Sequence, residues 1–210
     1  MHELPGYTDL RRRRSGRLFS VFSARNTETG QPVMIKLPRQ AGPAPRLQAA
    51  LAHEYEITRQ FKAEPAIIDA IALVRSPGVT ALVTEDFGGD SLRARLGQPM
   101  VLADFCAVAL QITAALKCIH AAGVIHKDIK PANIIVSDDL SVVKVADFGS
   151  ATRLEQESVV PASTLRLEGS LPYMSPEQTG RMNRTIDYRS DFYSLGVTFY
   201  ELLTGELPFD

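Results

Sequence analysis

The sequence is short of cysteine, of net charge and of uninterrupted apolar runs, and each shortage removes a class of protein. Its two cysteines, Cys106 and Cys118, fit neither a disulfide framework nor a zinc-ligand spacing, which points to a reducing compartment. Lys and Arg number 23 against 24 Asp and Glu, for a net charge of -1. A chain so balanced is not one whose main task is coating nucleic acid. The most apolar long stretch, residues 101–125, is interrupted by Asp104, Gln111, Lys117 and His120 and reads as too polar to span a bilayer. Residues 1–20 carry four consecutive arginines with no apolar segment after them, unlike a secretory signal. Neither an internal repeat nor a low-complexity tract is visible. What is there is globular: 210 residues, 45% hydrophobic and 22% charged, enough for one ordinary domain or one fold of two small lobes. A cytosolic protein is expected.

The first third patterns as strands. Residues 18–24 (LFSVFSA) and 33–37 (VMIKL) are β-rich and flank the polar turn NTETGQ, so a hairpin is expected. A loop rich in Gly and Pro follows. Apolar Leu47, Ala50, Leu51, Ile57 and Phe61 then suit an amphipathic helix over 46–62. Two more strands are expected at 67–74 and 79–84. In the middle, Phe105, Ala109, Ile112, Leu116 and Ile119 recur at helical spacing over 102–122, with Gly123 placed as a C-cap. Short strands are expected at 134–136 and 142–145, then an irregular stretch from 147 to 177. Residues 190–204 pattern as a helix apolar nearly all round, which ordinarily demands packing on every side. Little sequence follows it, so the chain reads as a fragment.

Four short motifs carry the chemistry. Val33-Met34-Ile35-Lys36 ends a strand. His126-Lys127-Asp128-Ile129-Lys130-Pro131-Ala132-Asn133 follows the central helix, and then come Asp147-Phe148-Gly149 and Ser175-Pro176-Glu177. A lone Lys at a strand end is ordinarily a solvated charge, and Asp-Phe-Gly alone an ordinary turn. In this order and setting they resemble the signature set of eukaryotic-type protein kinases, from about Ser15 onward. The resemblance implies an α+β, bilobal protein-kinase-like fold. Residues 1–14 would be a basic N-terminal segment, 15–86 a β-rich N-lobe, and 87–210 a helical C-lobe truncated after its central buried helix.

The resemblance also implies roles. Phosphoryl transfer needs positioning and charge neutralisation more than covalent chemistry. Asp128 would orient the acceptor hydroxyl and take its proton, and Lys130 would meet the γ-phosphate of ATP. Asn133 and Asp147 offer hard oxygen ligands for Mg²⁺. Lys36 would hold the α- and β-phosphates, partnered by Glu54 or Glu56, with Glu54 at the kinase-like spacing. Gly16 and Val21 would lie over the nucleotide. Thr84 would stand at the gatekeeper position, and the backbone of Glu85 and Phe87 would bond the adenine edge, with Asp90 or Ser91 reaching the ribose. Asp191 would bond backbone N–H groups near His126. Ser158, Ser163 and Thr164 are candidate phosphorylation sites, Ser170 would help hold the acceptor site, and Tyr173 would help form the loop that receives a protein substrate.

Lys130 resembles the serine/threonine rather than the tyrosine class. The segment 175–209, above all Glu177-Gln178-Thr179-Gly180-Arg181-Met182-Asn183-Arg184, is similar to the N-terminal kinase-like domain of large bacterial hybrid sensor histidine kinases. There an ATPase-like region, a GAF-type sensor domain and a histidine kinase core lie downstream. The Gly-rich loop departs from the family pattern, with Arg14, Gly16 and Phe19 at its three glycine positions, so the lid should grip phosphates less tightly. Arg17 is a candidate source of compensating charge. Lys127 replaces the usual Arg, which implies weaker dependence on loop phosphorylation. The resemblance gives Glu177 an Arg partner further downstream. Without it, and unless Arg181, Arg184 or water relieves it, a buried carboxylate would cost roughly 3–5 kcal/mol, and a marginally stable or aggregation-prone chain is expected. The arginines at 11–14 are expected to be solvated, or to meet an anionic membrane or acidic partner. A serine/threonine protein kinase domain in bacterial signalling is the first expectation. A nucleotide-binding pseudokinase regulating attached domains is the alternative, and a small-molecule phosphotransferase the third.

Overall fold

Five strands drawn from the first 88 residues build an antiparallel sheet. The computed structural model describes residues 4–39, 45–76, 78–156, 171–180 and 184–209. Ser158, Ser163, Thr164, Ser170 and residues 181–183 lie outside them. The chain divides into two compact units, Met1–Ala63 with Ile68–Gly88, and Glu64–Ile67 with Gly89–Asp210.

In the first unit the strands are β1 (Tyr7–Ser15), β2 (Phe19–Asn26), β3 (Pro32–Pro38), β4 (Ala70–Ser76) and β5 (Val79–Glu85), in the order β1-β2-β3-β5-β4. The β2–β3 hairpin is the expected one. Its turn is held by the Asn26 side chain, which accepts from the N–H groups of Glu28 and Thr29. One face of the sheet buries Leu4, Ala24, Val33, Ile35, Leu37, Ala81 and Val83. Each large aliphatic residue hidden there contributes about 1.5–3 kcal/mol. Helix α1 (Pro45–Thr58) packs on the sheet through Leu51, which joins Ala70 and Leu82. A 3-10 turn, Arg59–Phe61, extends it to the length the apolar spacing predicts.

Two corrections concern this unit. The arginines at 11–14 are exposed, as expected of a solvated run, but rather than a segment ahead of the sheet they form the second half of β1, paired with β2. The strand expected from 67 begins only at Ala70, because Ile67 belongs to the second unit, where it bridges to Val145.

The second unit holds β6 (Asp90–Ser91), α2 (Leu102–Ala121), β7 (Val124–Ile125), β8 (Ile134–Val136), β9 (Val143–Val145), β10 (Thr152–Arg153) and α3 (Tyr188–Thr204). Strands β6, β8 and β9 form one small sheet, and β10 pairs with β7. Helix α2 ends at Gly123, whose φ of 69° accommodates the turn into β7. By length and composition α2 is apolar enough to cross a membrane, contrary to the sequence expectation. Its stripe of Val108, Ile112, Ala115, Leu116 and Ile119 is buried, and it packs on β7, β9 and α3, as a core helix does.

Helix α3 starts two residues earlier than its apolar pattern indicates, because the Asp187 carboxylate caps it by accepting from the Arg189 N–H. It is also not apolar all round in its packing. Tyr188, Phe192, Tyr200 and Leu203 are exposed, while the buried face carries Ser190, Asp191, Ser194, Thr198 and Glu201 beside Leu195, Val197 and Leu202. The buried polar face is hydrogen-bonded rather than greasy, and it anchors the loops around it.

Candidate active site

Strand β3 and helix α1 bring Lys36 and Glu54 together. The Lys36 Nζ donates to both carboxylate oxygens of Glu54, at 2.9 and 2.8 Å, with both side chains largely buried. The alternative partner Glu56 is exposed and pairs weakly with Arg59. Lys36 also stands 5.2 Å from the centroid of the Phe19 ring, a cation–π contact. Sheet register fixes what shares its face: Val21 lies opposite Lys36, and Leu82 lies opposite Lys36 on the other side. Thr84 lies two rows along, opposite Met34 and on the same face. Glu85 ends β5 with its N–H donated to the Asp69 carbonyl and its carboxylate accepting from the Asp69 N–H. Phe87 follows in the linker, in an Asx turn in which Asp86 Oδ1 accepts from the Gly88 N–H. Gly16, the one glycine retained from the expected Gly-rich pattern, sits in a closed turn. Its N–H donates to the Phe19 carbonyl at 2.8 Å, and its own carbonyl accepts from Arg39.

In the second unit the segment from His126 to Asn133 folds around one carboxylate. Lys130 Nζ donates to both oxygens of Asp128 at 2.7 Å. Asn133 Nδ2 donates to Asp128 Oδ2 and to the Asp128 carbonyl, both at 2.9 Å. Asp128 is thereby held in one orientation, at 15% exposure, able to reach a hydroxyl brought from solvent. The β8–β9 pairing sets Asn133 opposite Ala146, whose N–H it accepts, so Asn133 and Asp147 end up side by side at one end of that hairpin. Asp147 takes a left-handed backbone, φ 66°, and Lys127 does the same. For side chains with a Cβ this is a conformation the surroundings must enforce.

At Lys127 the enforcement comes from α3. Asp191 is fully buried, and its carboxylate accepts from the N–H groups of His126 (2.9 Å) and Lys127 (2.7 Å) and pairs with His120 Nε2 at 2.8 Å. That is the anchoring the motif implies for Asp191. His126 is fully buried against Phe148, ring centroids 4.7 Å apart, and burial pushes its pKa below the ordinary histidine value, against the pull of Asp191, Asp128 and Asp147. It is therefore neutral near pH 7. Its Nδ1 accepts from the Asp128 N–H at 3.3 Å and its Nε2 faces the Ala146 carbonyl at 3.2 Å, which specifies the tautomer with the proton on Nε2.

Gln178 stands in the run 177–184 that marks the family resemblance, but the sequence assigns it no structural role. It is 3% exposed, accepts from the N–H and hydroxyl of Ser175, and donates to the Lys127 carbonyl at 2.8 Å. It ties the Ser175-Pro176-Glu177 turn to the loop carrying Asp128. No spacing rule marks it; only its burial does. His120 was foreshadowed only as a polar interruption of α2's apolar stretch. Glu177 corrects an expectation. It is only partly buried and accepts from the Ser190 hydroxyl at 2.7 Å. Burial pushes its pKa up, but hydrogen bonds from Ser190, its own backbone N–H and Ser175 outweigh that and hold it below the usual carboxylate value. The penalty of a stranded buried charge does not arise there.

The sequence matches the family model described as protein kinase domain over residues 10–210. The chain belongs to the protein kinase domain family. A probable serine/threonine-protein kinase of Clostridium perfringens is 31% identical over 206 residues, covering 93% of this chain and 28% of the relative. The serine/threonine-protein kinase Pkn1 of Myxococcus xanthus is 31% identical over 213 residues, 96% of this chain and 29% of its own. The serine/threonine-protein kinase PknL of Mycobacterium bovis is 34% identical over 206 residues, 93% and 48% respectively. The kinase domain thus spans less than a third of the length of the first two relatives. The α+β fold, with a sheet-built unit and a helical one, is the bilobal fold that the family has.

Proposed function

We propose that this kinase domain transfers the γ-phosphoryl group of Mg·ATP to a serine or threonine hydroxyl of a protein, in bacterial signal transduction. The observation that carries the reading is the completeness of the charge-handling set: Lys36 seated on Glu54, and Asp128 seated between Lys130 and Asn133. In this reading Lys36 binds the α- and β-phosphates, while Gly16, Val21 and Thr84 border the nucleotide and the backbone of Glu85 and Phe87 meets the adenine. Asp128 orients the acceptor hydroxyl and receives its proton, and Lys130 neutralises charge on the transferring phosphoryl group.

The donor set suits Mg²⁺. Asn133 and Asp147 are hard oxygen donors at one hairpin end, and the Asn133 amide nitrogen is already committed to Asp128, which leaves its oxygen as the ligand. An ion there would be held by these two protein oxygens, with phosphates and water completing its shell. That ion would supply charge neutralisation on the phosphates. The reading favours transfer over nucleotide sensing alone, because a pseudokinase has no need of the Asp128–Lys130 pair.

The protein substrate would meet the 3-10 turn Leu171–Tyr173, which α3 holds: Ser194 donates to the Tyr173 carbonyl, and the Tyr173 hydroxyl donates to Glu201. The sequence of 175–209 supports a place in a longer hybrid sensor kinase, with ATPase-like, GAF-type and histidine kinase domains downstream. Use of ATP supports a cytoplasmic location. The test is transfer of labelled γ-phosphate to a generic protein acceptor. Wild type should label it, and Asp128→Asn should abolish labelling while sparing ATP binding. Undiminished labelling by Asp128→Asn would overturn the reading.

A further inference from the structure

The four consecutive arginines do not alternate as an ideal strand would. Arg11 lies opposite Ser23 and Arg12 opposite Phe22, but Arg14 lies opposite Val21, with a register break between Arg12 and Arg14. Two residues of β1 thus face one step of β2, a β-bulge, with Arg13 as the extra residue. Bulges re-aim side chains. In unbroken alternation Arg14 would share a face with Arg12. Here it shares a face with Val21, because directly opposed residues of paired strands point to the same side. Val21 in turn lies opposite Lys36. Arg14, Val21 and Lys36 therefore form one row across β1, β2 and β3, on one face of the sheet. The neighbouring row agrees: Ser15 and Ser20 lie opposite one another with hydroxyls 3.5 Å apart, and Ser20 lies opposite buried Leu37, on the other face.

We infer that Arg14 is a second cationic phosphate ligand of the nucleotide, working beside Lys36. This rests on the reading of Lys36 as a phosphate ligand. Arg14 occupies a position where the family pattern has glycine. The loop's remaining glycine has its N–H bonded to the Phe19 carbonyl, so the backbone donor at that position is taken rather than offered to an anion. A guanidinium supplies instead what such a donor would give. It is permanently charged and carries five N–H groups in a fork that fits two phosphate oxygens. Strands are spaced about 4.8 Å apart, which puts the Arg14 and Lys36 backbones roughly 10 Å apart. The two long side chains can converge on one polyphosphate from either side of Val21. Arg17, the candidate that the sequence suggests, lies in the turn beyond β1 rather than in this row.

Nucleotide titration of the full chain at low and moderate salt tests this. Arg14→Gln should weaken ATP binding about tenfold or more, the size of a lost charge-assisted bond. It should leave adenosine binding unchanged and flatten the salt dependence. Arg14→Lys should restore part of the loss. Arg12→Gln, on the opposite face, should change neither affinity. An Arg14→Gln chain that binds ATP as wild type does, while Lys36→Met still loses it, would overturn the inference and leave the Lys36 reading standing. Equal losses for ATP and adenosine would overturn it too, since the effect would then be structural. If ATP binding is insensitive to Lys36→Met as well, both readings fall together.

Discussion

Replacing Asp191 by Asn tests the claim that α3 sets the geometry of the loop carrying Asp128. The substitution is nearly isosteric. One side-chain oxygen can go on accepting from the His126 N–H and from His120, as Oδ2 does now. The new amide group must then face the Lys127 N–H, currently bonded to Oδ1 at 2.7 Å. That sets donor against donor in a site with no exposure. A buried N–H left without an acceptor costs about 1–3 kcal/mol. For a chain of this size each 1 kcal/mol lowers Tm by about 2–4 °C, so a fall of about 2–12 °C is expected. The left-handed conformation of Lys127 loses its constraint at the same time, so transfer should fall by more than the lost folded population explains. Thermal unfolding by circular dichroism gives the first quantity. Amide hydrogen exchange at His126 and Lys127 gives the second. An unchanged Tm together with unchanged exchange at those two amides would refute the anchoring argument.

Other outcomes follow from the same geometry. Lys36→Met should strip Glu54 of its partner and reduce ATP affinity at least tenfold in a nucleotide titration, because a charge-assisted phosphate contact is lost. Gln178→Ala leaves the Lys127 carbonyl and the Ser175 N–H without their partner and should lower Tm by several degrees. The conservative Gln178→Glu, which keeps an acceptor for Ser175 but no donor for Lys127, should recover only part. His126 has a lowered folded pKa, so the unfolded chain binds more protons between that value and about 6.5, and stability should fall as pH drops through this window. Protonation at Nδ1 would also remove the acceptor for the Asp128 N–H, so transfer should decline over the same range in a pH–rate profile. Asp187 behaves in the usual carboxylate sense. The Arg189 side chain chiefly holds its pKa down, so its contribution is present above the ordinary carboxylate range and lost as pH falls through the lowered value. Asp187→Ala should cost about 1 kcal/mol at neutral pH by urea unfolding.

Much of this was legible in the residues. The motif order announced which charges to look for, and the resemblance to the kinase spacing favoured Glu54 over Glu56 before any geometry was known. Turn and period signals placed β2, β3, α1 and α2 to within a few residues. What escaped has physical reasons. A run of four arginines carries no period-2 contrast, so β1 was invisible, and its bulge is a property of pairing rather than of local sequence. Helix α3 misled because its aromatic residues outweigh its serines in any hydropathy pattern, yet the serines, Asp191 and Glu201 face inward, where each finds a hydrogen-bond partner. Gln178 acts through the Lys127 carbonyl, and nothing local distinguishes it from a surface glutamine.

The bonds from Asp191 to His126 and Lys127 span 65 and 64 residues of chain. Contacts so distant in sequence are slow to form, because a long loop must close before they return any stability. During synthesis the segment around Asp128 emerges well before α3 does. It cannot adopt its working conformation until α3 has emerged and packed against α2. Catalytic competence would therefore arrive late and all at once, as a folding event, and a nascent chain stalled before residue 191 would display the whole motif without a site.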